Sequence, residues 1–456
     1  MEEEVRYYST NLKSPEVSFR EALLQGQAPD RGLYLPVAIP RLNKNDIESF
    51  RSLDYPEIAF NILSRFTGSE VNRDDLERLC RDAYNFEIPI ERVEKRKYIL
   101  RLDRGPTASF KDFAARMMGR LMQYFTQTDN RNLVILTATS GDTGSAVANA
   151  FYGLENIKVI ILYPASEVTE MQRKQMTTLD SNIQVIAIEG KFDDCQRMVK
   201  KAFADPELSS IKFSSANSIN IGRLLPQTVY YFWSWSRLAQ DISDQVVFSV
   251  PSGNFGNLMG GLIAREMGLP VRCLVVSTNE NDEFPVYLNT GIYKILSPSR
   301  NCISSAMNVG HPSNMVRVFA LYGGIMNESG EIIKEPDRNK MESDMYAISI
   351  SDKITKETIR EFYRRYGLLL EPHGAVAWRG LTGFLYESGY HHSDSQLCIS
   401  LETAHPAKFP VEIEEVLGLR PVMPESLKTI EFKKEGYTTL DNNYDIFREF
   451  ILSKYK

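Results

Sequence analysis

Residues 133–164 read LVILTATSGDTGSAVANAFYGLENIKVIILYP. An apolar, β-branched run (133–139) breaks at a Ser/Gly/Thr loop, continues as a helical stretch (145–154), and gives way to a second apolar run (158–164). Runs that are apolar throughout, rather than at alternate positions, belong to strands buried on both faces. Strand, helix and strand in succession predict a right-handed crossover within a parallel sheet. The rhythm recurs. Further strands are expected at 183–189, 245–251, 272–278 and 396–401, and helices at 195–203, 226–239 and 257–267. The fold class is therefore α/β, with parallel sheets flanked by helices.

Outside this body the pattern changes. The first hundred residues carry a turn cluster at 36–40 and a charged helix at 71–84, and residues 1–95 read as an N-terminal cap. Residues 96–132 and 215–425 are expected to form a larger domain, 133–214 a smaller mobile one that meets the substrate, and 426–456 a charged C-terminal tail. The polar stretch 327–351 is expected to be a loop or an edge hairpin. A chain of 456 residues suits two or three domains at roughly 150 residues each.

Composition narrows the function. With 43% apolar and 25% charged residues the chain reads as globular. A net charge of −6 argues against nucleic acid, whose backbone demands clustered Lys and Arg. The five cysteines are scattered, with neither a C-x-x-C pair nor zinc-site spacing, which fits a reducing compartment and no metal. His391-His392 lies in a polar stretch and reads as solvated. The start, MEEEVRYYSTN, has no apolar signal region, and no run approaches the roughly 20 apolar residues that span a bilayer. A cytoplasmic protein is expected.

In open α/β sheets ligands bind beyond the carboxyl ends of the strands, so the loops there deserve the closest reading. Four stand out. Gly105-Pro106-Thr107-Ala108-Ser109-Phe110-Lys111-Asp112-Phe113 is a turn leading to Thr107 or Ser109 as helix N-cap, with the helix running through Ala114, Met117, Met118 and Leu121. Lys111 then sits near the positive end of a helix dipole, a poor place for a cation. A lysine that forms a Schiff base uses such a place, because a positive neighbourhood lowers its pKa. Taken alone it reads far more readily as a solvated surface lysine. Thr139-Ser140-Gly141-Asp142-Thr143-Gly144-Ser145 opens a helix with main-chain N–H groups suited to a carboxylate, and lacks the Lys of a nucleotide-binding loop. Ser252-Gly253-Asn254-Phe255-Gly256-Asn257, followed by Gly260-Gly261, suits a compact phosphate and is not a dinucleotide fingerprint. Leu401-Glu402-Thr403-Ala404-His405-Pro406-Ala407-Lys408-Phe409 follows the last strand.

In this order the segments resemble the threonine synthase family, within the fold type II (tryptophan synthase β-like) enzymes that use pyridoxal 5′-phosphate (PLP). The resemblance runs from Tyr7-Tyr8-Ser9-Thr10 to Phe409, about nine-tenths of the chain. Ser109-Phe110-Lys111-Asp112-Phe113 and Gly253–Asn257 are specific to the branch with the long N-terminal region. The resemblance implies Lys111 as the cofactor-bearing lysine and proton shuttle. It implies Gly253, Asn254, Phe255, Gly256 and Asn257 as the cofactor phosphate loop, and Thr403 against the pyridine nitrogen. Ser140, Gly141, Asp142 and Thr143 would face the substrate, joined by Asn217, Asn220 and Arg223. The implied substrate is O-phospho-L-homoserine, which loses phosphate from its γ-carbon and gains water at its β-carbon to give L-threonine.

Two positions depart from the family pattern. Asp142 stands where many of the wider group carry an Asn that contacts the ring hydroxyl, and Asn11 where many members carry Arg. If that Arg binds the substrate phosphate elsewhere, Arg104, Lys174 or Arg223 replaces it here. The rival readings are a phospholyase releasing a 2-keto acid from the same substrate, a serine/threonine dehydratase, and a binding protein that has lost catalysis. The last would have lost the lysine or the phosphate loop, and both are present. The protein is expected as a monomer or homodimer.

Overall fold

The computed structural model describes residues 5–139, 141–390, 395–430 and 432–455. Among these, eleven strands build two larger sheets. In chain order they are β1 (Ile90–Glu94), β2 (Lys97–Arg101), β3 (Leu133–Ala138), β4 (Ile157–Pro164), β5 (Ile183–Glu189), β6 (Phe213–Ser214), β7 (Val246–Pro251), β8 (Val271–Thr278), β9 (Met345–Ser349), β10 (Leu397–Glu402) and β11 (Thr438–Asp441). The six-stranded sheet has the order β9-β8-β7-β10-β2-β1, and the five-stranded sheet β11-β5-β4-β3-β6. Neighbours are parallel throughout, apart from the antiparallel hairpin β1–β2. Every residue of β3, β7 and β10 is buried, as their continuous apolar sequences require.

Five helices matter for the site, α1 (Lys111–Thr128), α2 (Asp142–Phe151), α3 (Glu170–Thr177), α4 (Gly256–Glu266) and α5 (Pro372–Glu387), and a sixth, α6 (Tyr444–Tyr455), packs beside the smaller sheet. In α1, Phe113, Met117, Leu121 and Phe125 repeat every fourth residue and are all buried. Phe113 packs edge-on against Tyr55, Phe86 and Tyr230 at centroid distances of 5.6, 5.1 and 5.5 Å. Burying each such side chain is worth about 1.5–3 kcal/mol, so α1 is clamped between the N-terminal region and the sheets. A Cβ at Gly119 would stand 3.0 Å from Ala150 O, so glycine there lets α1 lie close against α2. One apolar core joins the N-terminal helices, α1 and the facing sides of both sheets.

Three segments differ from expectation. The span read as a cap includes β1, which edges the larger sheet at residues 90–94. The polar stretch 327–351 holds one strand of a hairpin (Ile325–Met326 with Ile332–Lys334) but also β9, which pairs parallel with β8. Within 426–456, expected as a charged tail, residues 438–441 and 444–455 form a strand and a helix. Strand β11 pairs parallel with β5, and α6 buries Phe447 and Ile451 on one face. Those two residues are four apart, and their burial contributes roughly 3–6 kcal/mol, which outweighs the charge on the exposed face.

Candidate active site

Strands β7, β10 and β2 are neighbours in the larger sheet and point the same way. Their carboxyl ends therefore release the loops 252–257, 403–409 and 102–111 side by side. In the smaller sheet β3 and β6 are likewise parallel neighbours, and release 139–143 and 215–223 together. The two sets of loops meet around Lys111.

The lysine loop is tied to the loop after β10 along its length. Leu102 N donates to Glu402 O (2.9 Å), Phe110 N to Thr403 O (2.8 Å), and His405 N to Ala108 O (3.0 Å). Ala108 adopts φ 54°, a left-handed conformation that a non-glycine residue holds only when its surroundings enforce it. Neither Thr107 nor Ser109 caps α1. The cap is Phe110, without a side-chain bond, and Lys111 is the first helical residue. Asp112 instead reaches back, its carboxylate accepting from Thr107 N (2.8 Å) and Thr107 Oγ1 (2.7 Å). Thr107 and Ser109 were plausible caps because capping residues and turn formers look alike in sequence; here Asp112 organises the turn.

The Lys111 side chain is largely buried, with 14% exposed, and its pKa lies below the usual lysine value. Burial is the leading cause, Lys408 and Arg223 add to it, and Asp142 opposes it. Desolvation, rather than the helix terminus alone, favours the neutral amine. Asp142 Oδ2 stands 3.7 Å from Lys111 Nζ. Its other oxygen, Oδ1, accepts from Lys408 Nζ (2.6 Å) and Gln172 Nε2 (3.0 Å). Burial pushes the Asp142 pKa up, but the two lysines and these bonds outweigh it and hold the carboxyl below the usual carboxylate range. Gly141 adopts φ 136°, and a Cβ there would fall 2.4 Å from Gln172 Cδ, so this turn admits only glycine. The N–H groups of Asp142 and Thr143, at the start of α2, make no hydrogen bond among the described residues. Ser140 lies outside the described residues.

The loop after β7 is a cradle of main-chain donors. Phe255 takes a left-handed conformation (φ 60°) to start α4, and none of the N–H groups of residues 253–257 is bonded among the described residues. Asn254 holds the loop in shape. Its Oδ1 accepts from Ser313 N and Ser313 Oγ (both 3.3 Å), and its main-chain O accepts from Asn314 Nδ2 (2.9 Å). Asn257 Oδ1 accepts from Tyr230 OH (2.6 Å) and Tyr231 OH (2.8 Å), while its buried Nδ2 is left without a partner. Unpaired donors at a helix start fit a phosphate group, which needs several N–H donors at once.

Thr403 is buried beside the lysine loop, and its hydroxyl donates to Glu371 Oε1 (3.5 Å). Glu371 caps α5 and accepts from His373 Nδ1 (2.5 Å), while His373 Nε2 accepts from Ala306 N (3.1 Å). Since Ala306 O lies under Gly253, this chain of bonds braces the Thr403 loop against the phosphate loop.

The remaining expected residues divide. Arg223 is fully buried; it donates from one nitrogen to Ala216 O (2.7 Å), its Nε has no partner, and burial brings its pKa down to about 10. Asn217 accepts from Thr137 Oγ1 at the end of β3. Asn220 is spent on structure: Nδ2 donates to Leu23 O and Ser215 O (both 2.9 Å), and Oδ1 accepts from Gly222 N (2.9 Å). Both ends of its side chain are thus engaged within the fold. Asn11 binds Asp30 O (2.9 Å) within the N-terminal region. Arg104 pairs with Asp103 at 3.4 Å and Lys174 with Glu170 at 2.8 Å. His391 and His392 lie outside the described residues. Sequence reading missed Lys408, Gln172, Glu371 and His373 as parts of the site. The Glu-Pro-His sequence at 371–373 carried a helix-start signal and Lys408 stood in the fourth loop singled out without being given a role, but nothing local announced Gln172.

Comparison with known proteins agrees with this geometry. A family model described as threonine synthase N terminus matches residues 6–84, one described as pyridoxal-phosphate dependent enzyme matches 87–401, and one for the threonine synthase C-terminal region matches 386–451. The threonine synthase of Haemophilus influenzae is 40% identical, with 97% of this chain and 99% of that protein covered. The crystal structure of PLP-bound threonine synthase from Brucella melitensis superposes with a TM-score of 0.90 at 34% identity, covering 98% of each chain. That of threonine synthase from yeast gives 0.89 at 30% identity, covering 99% of each. A likeness this close, sustained across the whole chain, means that it belongs to the threonine synthase family of fold type II, pyridoxal-phosphate-dependent enzymes.

Proposed function

We propose that the protein converts O-phospho-L-homoserine and water into L-threonine and inorganic phosphate, with Lys111 as its catalytic base. The observation that carries the reading is the largely buried, pKa-depressed amine of Lys111 at the meeting point of the two sets of strand-end loops, together with a cradle of main-chain N–H groups at 253–257 that bond to no described residue. PLP, when bound, supplies an electron sink that stabilises negative charge at the carbon next to the substrate amine.

The chain's own residues do the rest. The N–H groups of residues 253–257 and the free Nδ2 of Asn257 hold the cofactor phosphate. Lys111 would hold the cofactor between turnovers, and its Nζ would be free to act as a base once the substrate is bound. Its freed Nζ then takes the α-proton, and with its charge disfavoured by burial it gives protons up readily at the neighbouring carbons. The open N–H groups of Asp142 and Thr143 hold the substrate carboxylate at the start of α2. Among the three candidates for the substrate phosphate, Arg223 is favoured. A buried guanidinium with an unpaired Nε and no contacting carboxylate is costly, and a phosphate would offset that cost. Arg104 and Lys174 already have carboxylate partners. Thr403, its hydroxyl oriented by the bond to Glu371, would hold the ring nitrogen of the cofactor.

In the same reading residues 133–214 form the core of a smaller lobe that closes over the substrate and excludes water until phosphate has left. Polar contacts across the seam, such as Gln175 Nε2 to Thr107 O (3.1 Å), support it. The protein works in the cytoplasm as a monomer or homodimer; its five cysteines are free and buried, and among the described residues no helix is long and apolar enough to cross a membrane. The test is product analysis of the PLP-loaded protein with O-phospho-L-homoserine. Threonine and phosphate in equal amounts support the reading, and 2-oxobutanoate with ammonia and phosphate would replace it with a phospholyase.

A further inference from the structure

Lys408 is a second lysine at the heart of the site. Its side chain is 1% exposed, and its Nζ donates to Asp142 Oδ1 at 2.6 Å and to Thr107 O at 3.1 Å. We propose that Lys408 is a positioning residue: it gives Asp142 a cation of its own, so that Asp142 can orient Lys111 without trapping it as an ammonium ion. This rests on Lys111 being the cofactor-bearing lysine.

The argument is one of charge and distance. Four charged side chains act on Lys111: Asp142 at the start of α2, Lys408 after β10, Arg223 after β6, and Glu371 at the start of α5. Asp112, its neighbour in the chain, has both carboxylate oxygens committed to Thr107. Asp142 is the one carboxylate in contact with Lys111 among the described residues, at 3.7 Å. A buried carboxylate beside a lone lysine holds the proton on that lysine, which would disable a base. Lys408 sits 1.1 Å closer to the same carboxylate (3.7 against 2.6 Å) and is joined there by Gln172 Nε2, so the tighter pair is Asp142–Lys408. Lys111 is then the cation that can lose its proton without stranding a buried anion. The shared acceptor Thr107 O, which also takes Gln175 Nε2, fixes Lys408 to the lysine loop itself. The spacing of the two lysines is thereby built into the loop.

The experiment is a pH titration of the visible absorbance of the PLP-loaded protein, which reports proton binding at the nitrogen of Lys111. Borohydride trapping and peptide mass mapping identify the lysine that carries the cofactor. Lys408→Met removes the competing cation, and the titration midpoint is expected to rise by roughly one pH unit or more. Lys408→Arg keeps the charge and should stay near the wild type. Asp142→Asn removes the anion, and its midpoint should move the other way. A merely structural role would lower cofactor occupancy in Lys408→Met without moving the midpoint, and that result overturns the proposal. Should Lys408→Met fail to retain cofactor, Asp142→Asn decides, because an unmoved or raised midpoint there also overturns it. Trapping on Lys408 instead of Lys111 would sink the Lys111 assignment itself; trapping on Lys111 with unmoved midpoints sinks only the role given to Lys408.

Discussion

Two glycines of the phosphate loop should respond very differently to the same added methyl group. At Gly253 a Cβ would stand 2.9 Å from Ala306 O and 3.0 Å from Met307 Cα, both main-chain atoms. Ordinary contact needs about 3.5 Å, so about half an ångström must be found, and neither neighbour can rotate away. Ala306 is further pinned by its bond to His373, so the loop itself must yield. Overpacking of this kind costs about 1–3 kcal/mol. A displaced loop also misaligns its N–H donors, and each hydrogen bond to a charged phosphate is worth about 1.5–3 kcal/mol. A net loss of about 2–3 kcal/mol is expected for Gly253→Ala, which weakens cofactor binding by about 30- to 150-fold. At Gly256 the nearest atom is the side-chain Nε2 of Gln227 at 3.3 Å. Gly256→Ala should change the dissociation constant by less than about threefold, since a side-chain end can give way. The assay is titration of cofactor-free protein with PLP, followed by absorbance, with thermal melting as the check on folding. Equal effects at the two positions, or a Gly253→Ala constant within about twofold of wild type, would refute the cradle and the reasoning behind it.

Lys111→Ala should abolish turnover and remove the absorbance of the covalently held cofactor, and residual turnover at wild-type pH dependence would reject Lys111 as base. Arg223→Met should raise KM for O-phospho-L-homoserine by at least about tenfold, because it deletes a charge-assisted contact; a variant with unchanged KM and reduced kcat would place the substrate phosphate elsewhere. Glu402 offers a pH test. Burial pushes its pKa well above the carboxylate range, with Arg101 opposing and Glu371 adding to the rise. The folded chain therefore keeps a proton that the unfolded chain releases above about pH 4.3, so this residue makes stability fall as pH climbs from there towards the folded-state pKa. Glu402→Gln should be tolerated, and should gain stability relative to wild type as pH rises above about 4.3 in denaturant melts. A variant that loses ground as pH rises would show that the carboxylate is ionised and paired with Arg101.

Much of the fold could be read in advance because it rests on local patterns. Continuous apolar runs announced the buried parallel strands, and β5 falls at the expected 183–189. The same periodicity misled where charge concealed it. In 444–455 the apolar pair Phe447 and Ile451 was visible, but its significance depended on a groove beside β5 that no local window reveals. Within the site, Gly253–Asn257 and Lys111 were legible as motifs, since turn geometry and helix starts leave marks in adjacent residues. Asn220 was legible as part of a motif, but the motif could not show that both ends of its side chain bond within the fold.

The sequence by itself determined the strand–helix alternation and the glycine turns at the strand ends. These follow from backbone sterics and hydrophobic period, which act over a few residues. Only the tertiary structure decided the electrostatics. Lys408 is brought to 2.6 Å from Asp142, and Glu371 beneath Thr403, by the order in which distant strands lie side by side. Coulomb interactions and desolvation depend on distance and burial in space, and both are properties of the packed molecule.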